Sequence, residues 1–293
     1  MYQDINIQWF PGHMTKARRM MAEQLKLVDA VCEIIDARIP VSSRNPDMDS
    51  LTGGKPRLII LNRTDQANPA DTKKWAAWFR SKGAAVLETD AKSGKGTSAF
   101  SGAVRELLKD RLAAYAAKGQ AGHVVRVMIA GIPNVGKSSF INRIAKRKAA
   151  EASDKPGVTK GKQWITIDAG LELLDTPGIL WPKFDSREVG ENLAFTGAVK
   201  DDILDREALA ANLMLRLSEI CPAALIERYK INPEGDKTGT MLLEEAARKR
   251  GFLIKGGGVD LERMATVLLD EFRAGLLGRI TLERPPKDDL PEG

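Results

Sequence analysis

The most constraining stretch of this 293-residue chain is an apolar run, VVRVMIA at 124–130, that passes directly into GIPNVGKS at 131–138 and then into helical periodicity over 137–147. The spacing G-x-x-x-x-G-K-S between strand and helix is that of a phosphate-binding loop, whose glycines let backbone N–H groups turn inward around phosphate oxygens. It demands a strand, a loop and a helix in succession, and so an α/β sheet to carry them. Within the loop, Asn134, Val135, Gly136, Lys137, Ser138 and Ser139 are the expected nucleotide contacts. Lys137 would reach the β and γ phosphates, which also places it among the catalytic residues, and Ser138 would offer its hydroxyl to Mg2+.

Other motifs fall where such a loop needs them. DTPG at 175–178 follows the apolar run LELL. There Asp175 can hold the magnesium shell, and the Gly178 N–H can meet the γ-phosphate. Between the two lies DKPGVTKG, in which Thr159 can supply a second magnesium ligand from a loop that orders on the γ-phosphate. LNRTD at 61–65 ends another apolar run. A carboxylate at Asp65 can accept from both N1–H and the 2-amino group of guanine, whereas adenine would meet it with a lone pair. Asn62 would tie this loop to the phosphate loop, and Arg63, where the usual N-K-x-D motif has lysine, would lay its stem along the base. TDAKSGKG at 89–96 would close over the base, with Asp90 and Ala91 in the place of a common Ser-Ala pair. Taken singly, NRTD reads as an Asx-turn and D-x-x-G as an ordinary turn. Their joint occurrence selects the nucleotide reading.

Apolar runs at 30–36, 57–61, 84–88, 124–130, 163–167 and 171–174 alternate with helical patterns at about 15–27, 69–82, 97–117 and 137–147, which predicts a mostly parallel sheet covered by helices. Beyond Trp181-Pro182 the patterns become helical, as in 209–220, 241–250 and 261–272. The expected division is an α/β nucleotide domain at 1–184 and an all-α domain at 185–293. Charge divides in the same place: residues 1–183 hold 29 Lys and Arg against 18 Asp and Glu, while the remainder holds 16 against 21. The basic part could meet a polyanion, although scattered lysines on a solvated face are the plainer reading of the same counts. No apolar run is long enough to span a bilayer, and MYQDINIQ lacks the features of a secretory signal, so a cytoplasmic protein with no membrane contact is expected. Two distant cysteines, Cys32 and Cys221, give no metal-ligand spacing and fit reduced thiols.

The order of the motifs is unusual. In an ordinary Ras-like GTPase the phosphate loop comes first and the base motif last, whereas here NRTD and TDAKSGKG precede GIPNVGKS, GVT and DTPG. That is a circular permutation. With WFPGHM at 9–14, DARIP at 36–40 and the helical extension, the chain resembles the RbgA/YlqF-type circularly permuted GTPases. The resemblance implies a circularly permuted Ras-like GTPase domain followed by a helical domain. It also implies hydrolysis of GTP to GDP and phosphate, coupled to late assembly of the large ribosomal subunit. Its partners would be the large-subunit precursor, ribosomal RNA and ribosomal proteins, with the helical domain helping to dock; a monomer is expected. The alternative is a nucleotide-gated RNA- or ribosome-binding scaffold with little hydrolysis.

Topology adds one inference. The rotated order would put the helix at about 15–27 where a switch helix belongs, with its N-terminus near Gly178. Position 179, where a glutamine often orients the attacking water, holds Ile179, which cannot hydrogen-bond it. His13 is the local candidate to take over, and the resemblance points to the equivalent histidine; a helix cap or an RNA contact is the plainer role. Asn134 adds a secondary expectation, since an asparagine there in related GTPases can help coordinate K+; a turn-forming asparagine is the alternative. Basic clusters at KARR (16–19), RIAKRK (143–148), KPGVTKGK (155–162) and Arg248-Lys249-Arg250 with Lys255 are the candidate RNA contacts.

Overall fold

The computed structural model describes residues 3, 14–120, 122–149, 164–176, 184, 186–201 and 204–286. In chain order the first part contains α1 (Met14–Leu25), β1 (Ala30–Asp36), α2 (Met48–Leu51), β2 (Arg57–Asn62), α3 (Pro69–Ser81), β3 (Ala85–Glu88), α4 (Phe100–Leu107), α5 (Lys109–Ala117), β4 (Val125–Ala130), α6 (Lys137–Ala149), β5 (Trp164–Asp168) and β6 (Leu171–Asp175). The second contains α7 (Arg187–Phe195), α8 (Arg206–Ile220), α9 (Pro222–Tyr229), α10 (Gly239–Lys249) and α11 (Leu261–Ala274).

The six strands form one sheet in the order β3-β2-β1-β4-β6-β5. All pairings are parallel except β5 with β6. Read from β4 around to β3, the parallel strands β4, β1, β2 and β3 are successive neighbours, so rotating the motif order leaves the sheet intact. Strand β1, AVCEIID, is buried at every position because it has a strand on each side and helices over its faces, which is why its sequence lacks alternation. Trp75 and Phe79 of α3 pack over Ile35, Ile59 and Leu61, and Phe100 of α4 meets Phe140 of α6 edge to face, with ring centroids 5.3 Å apart. Helix α3 starts where it does because Pro69 follows Asn68, whose side chain accepts from the N–H groups of Ala70 and Asp71.

One local expectation changes, and one short helix was not expected. The helix expected at 97–117 is interrupted: a 3-10 turn at Thr97–Ala99 leads into α4, and the chain leaves helical geometry at the buried Leu108 before α5, which buries no residue. Burying Leu108 takes precedence over continuous periodicity. The four-residue α2 is too short to leave a periodic signal.

In the helical part, Ser186, Asp205, Thr238 and Asp260 each cap a helix by accepting the backbone N–H three residues on. Leu209, Leu213, Met214 and Leu217 of α8 form its buried spine. Beside it Glu271 accepts from Arg228, Arg250 and the Tyr229 hydroxyl. Burial works against that carboxylate, but these donors outweigh it and hold Glu271 below the usual range. Arg250, a candidate RNA contact by sequence, is thereby engaged within the domain, while Arg248, Lys249 and Lys255 are exposed.

The contacts divide the chain into a nucleotide unit, Pro11–Trp181 with Glu283–Gly293, and a helical unit, Met1–Phe10 with Pro182–Leu282. The main division falls at 181/182, and among the described residues Gln3 groups with the helical unit while 283–286 group with the nucleotide unit. Gln3 is grouped with the helical unit through its backbone, whose N–H donates to Asn212 Oδ1 at 2.8 Å and whose carbonyl accepts from Asn212 Nδ2 at 2.9 Å. Among the described residues no single helix is long and apolar enough to cross a membrane.

Candidate nucleotide site

Strand register builds the site. β4 ends at Ala130, opposite Glu33, while β1 continues to Asp36, which lies opposite Asn62 at the end of β2. The phosphate loop therefore leaves β4 three residues short of the end of its neighbour and passes close over β1. Gly131, at φ 153°, has no room for a side chain: a Cβ would lie 2.5 Å from the Ile34 carbonyl oxygen. Gly136, at φ 96°, is equally tight, with a Cβ 2.4 Å from Asn62 Nδ2.

Asn62 is the hub. Its Nδ2 donates to the Val135 carbonyl at 2.8 Å, and its Oδ1 accepts from the Ala91 N–H at 3.0 Å and from Thr89 Oγ1 at 3.2 Å. One buried amide thus joins three loops: NRTD, TDAKSGKG and GIPNVGKS. The expected tie between Asn62 and the phosphate loop is present, and Ala91 directs its N–H to that same side chain. Asp90 folds its own loop, its Oδ1 accepting from the N–H groups of Lys92 at 2.8 Å and Ser93 at 3.2 Å. Burial opposes the charge on Asp90, but the donors from Ser93 and Lys92 hold it below the carboxylate range. Arg63 Nη2 donates to the Asn134 carbonyl at 2.8 Å.

Lys137, the first residue of α6, is buried and donates from Nζ to the carbonyls of Gly131 at 3.0 Å and Ile132 at 2.8 Å. Burial pushes its ammonium down to about 8, with the nearby Asp175 pulling the other way. Asp175 is raised by burial, partly offset by Lys137. It ends β6 opposite Ile129, whose carbonyl accepts from Thr176 Oγ1 at 2.7 Å. Ser138 and Ser139 are exposed in the first turn of α6. No acidic residue occupies that turn, so the positive end of the helix is left for an anion.

Asn62, Arg63, Asp65, Asp90, Ala91, Gly136 and Ser139, all nominated from sequence, line one cleft of about 210 Å³ with Gln66 and Lys92. His13, Thr159, Gly178 and Ile179 lie outside the described residues. Helix α1 begins at Met14, the residue after His13. Sequence reasoning missed two supports. Arg143, read as an RNA contact, turns inward and donates to the backbone carbonyls of Ala91 and Lys92. Asp36 and Arg38 form an ion pair buried under the site, whose only trace in sequence is the placement of DARIP at a strand end.

The NRTD, TDAKSGKG and GIPNVGKS loops thus meet in one cleft across permuted connections, and the chain is similar to known GTPases. A family model described as 50S ribosome-binding GTPase matches residues 126–221. The match starts in the phosphate-loop strand and leaves NRTD outside. Ribosome biogenesis GTPase A of Bacillus cereus is 44% identical over 279 residues, covering 95% of this chain and 94% of that one. Its namesake from Thermotoga maritima is 33% identical over 280 residues, 95% of each chain. GNP-bound YlqF from T. maritima matches 92% of this chain and 98% of its own, with a TM-score of 0.64 at 29% identity; a GDP-bound YlqF structure matches with a TM-score of 0.66 at 28% identity. With relatives this similar along nearly its whole length, the chain belongs to the ribosome biogenesis GTPase A family.

Proposed function

We propose that the protein hydrolyses GTP to GDP and phosphate and couples that step to late assembly of the large ribosomal subunit, working as a cytoplasmic monomer. The observation that carries the nucleotide reading is the Asn62 hub, which joins the base loop to the phosphate loop in the cleft that Asp65 also lines. The ribosomal reading rests on the relatives, named for ribosome biogenesis, and on the excess of basic residues in the first part of the chain.

Lys137 and the N–H groups at the start of α6 would bind the phosphates, and Asp65 would select guanine. Mg2+ fits the donors available. Ser138 and Asp175 offer hard oxygens, Thr159 is proposed as a further ligand, and phosphate oxygens would complete the shell. Among the described residues no cluster of three or more His, Cys, Asp or Glu forms an all-protein metal cage. When bound, the ion neutralises charge on the phosphates. Asn134 is exposed, and K+ beside it belongs to the proposal; turnover in K+ against Na+ tests that part.

The Gly178 N–H would contact the γ-phosphate, and His13 would orient the attacking water in place of Ile179. RNA contacts are proposed for Arg248, Lys249 and Lys255, with ribosomal protein as a further partner. The deciding measurement is GTP turnover with purified large subunits at physiological potassium. Stimulation over the free protein supports the reading, whereas association without stimulation gives the scaffold alternative. His13→Ala is expected to keep GTP affinity and slow stimulated turnover by about tenfold or more; normal turnover removes histidine from the mechanism.

A further inference from the structure

The segment after β1 reaches the nucleotide site through Asp36. That carboxylate is 2% exposed and its partner Arg38 is 1% exposed. Arg38 grips it with the backbone N–H and Nε on Oδ1, at 2.9 and 3.0 Å, and with Nη2 on Oδ2 at 2.7 Å. The Asp36 N–H in turn donates to Ser43 Oγ at 2.9 Å. A buried carboxylate fixed so completely has no freedom to drift, and one arginine already balances its charge. A second arginine also approaches it: Arg63 Nε lies 3.6 Å from Asp36 Oδ2.

The Arg63 guanidinium therefore faces three ways. Nε is beside Asp36, Nη2 donates to the Asn134 carbonyl at 2.8 Å, and Nη1 lies 3.4 Å from Gln66 Oε1. Only a planar fork can serve three such directions; a lysine ammonium at the end of a flexible stem would reach one or two. Backbone geometry agrees. Among the described residues only Arg63, Asn134 and Lys230 carry a non-glycine side chain at positive φ, and the first two, both at 61°, are bonded to each other. Such conformations persist where the surroundings over-determine them.

The geometry points to Asp36 as a positioning residue for guanine recognition: it holds Arg63 so that this arginine can brace the base loop against the phosphate loop. The inference rests on the assignment of Asp65 and Arg63 to the base site. Arginine at position 63 and aspartate at position 36 then form a matched pair, and Arg63→Lys, although it restores the commoner motif, is a loss.

The test is a double-mutant cycle on GDP affinity, with thermal unfolding run alongside, over the wild type, Arg63→Lys, Asp36→Asn and their combination. Because Asp36→Asn removes the negative charge paired with the buried Arg38, the charge-balanced pair Asp36→Asn with Arg38→Met is carried in parallel. Arg63→Lys should weaken GDP about tenfold without lowering the unfolding midpoint, and removing Asp36 should cost about as much with Arg63 present and almost nothing with Lys at 63. Equal losses in both backgrounds would mean that Asp36 is merely structural. Full affinity in Arg63→Lys would overturn the inference even if neither Asp36 variant folds. Asp65→Asn, assayed for guanine against xanthine preference, reports separately on the base site; normal guanine selectivity there would sink that assignment.

Discussion

Lys137 sits where its charge depends on what it meets. Burial pushes it down to about 8, so in the free protein it is largely protonated at pH 7 and largely neutral at pH 9. Phosphate oxygens favour the ammonium, so with Lys137 on the phosphates as proposed, binding above pH 8 takes up a proton. Calorimetry of GDP binding at pH 8.5 in buffers of different ionisation enthalpy is expected to show uptake of a substantial fraction of a proton, and GDP affinity to fall as pH rises further. For the fold the sign is opposite. A lysine whose pKa lies below its unfolded value of 10.5 costs stability in full below about pH 8, and the cost shrinks as pH rises from there. Asp65 is the residue proposed to select guanine: Asp65→Asn should then weaken GDP about a hundredfold or more and improve the relative affinity of xanthine nucleotides, measured by competition.

At the scale of elements, the site is held by loops rather than by the strands that deliver them. Asn62→Ala removes the donor to Val135 and the acceptor for Ala91 and Thr89, leaving buried groups unpaired. A loss of roughly 2–3 kcal/mol in urea unfolding is expected, together with weaker nucleotide binding. Gly136→Ala should lose nucleotide affinity more sharply than stability, because the added Cβ meets Asn62 directly. These elements differ in how visible they were in the sequence. Strands such as RLIIL and VVRVMIA are continuous apolar runs because both faces are covered, and their ends could be read to within a residue or two. The Asn62 tie was legible because three motifs needed a common member. The role of Arg143 was not, since an arginine on a helix looks the same whether it faces solvent or a neighbouring loop. Nor was Asp36: its significance comes from a register that sets it beside Asn62, across strands whose pairing no local pattern encodes.

Across the whole molecule, both chain ends defeat a one-cut description. Glu283, next to the last residue of the helical unit, accepts from the N–H groups of Val41 at 2.7 Å and Ser42 at 3.0 Å, and its carbonyl accepts from Trp75 Nε1 at 3.1 Å. A chain ending at 282 is therefore expected to have a nucleotide unit less stable by about 2 kcal/mol than one ending at 286, read from urea unfolding followed by tryptophan fluorescence. The permuted sheet also sets a timetable during synthesis. Asn62 leaves the translating ribosome 73 residues ahead of its partner Val135, an interval of roughly 4–15 seconds at ordinary elongation rates. Within that interval, from the completion of β3 at Glu88 to the start of β4 at Val125, β1, β2 and β3 exist without the strand that covers the other edge of β1. The base-recognition half is thus made first and must wait, with one edge unpaired, for the phosphate-binding half to arrive.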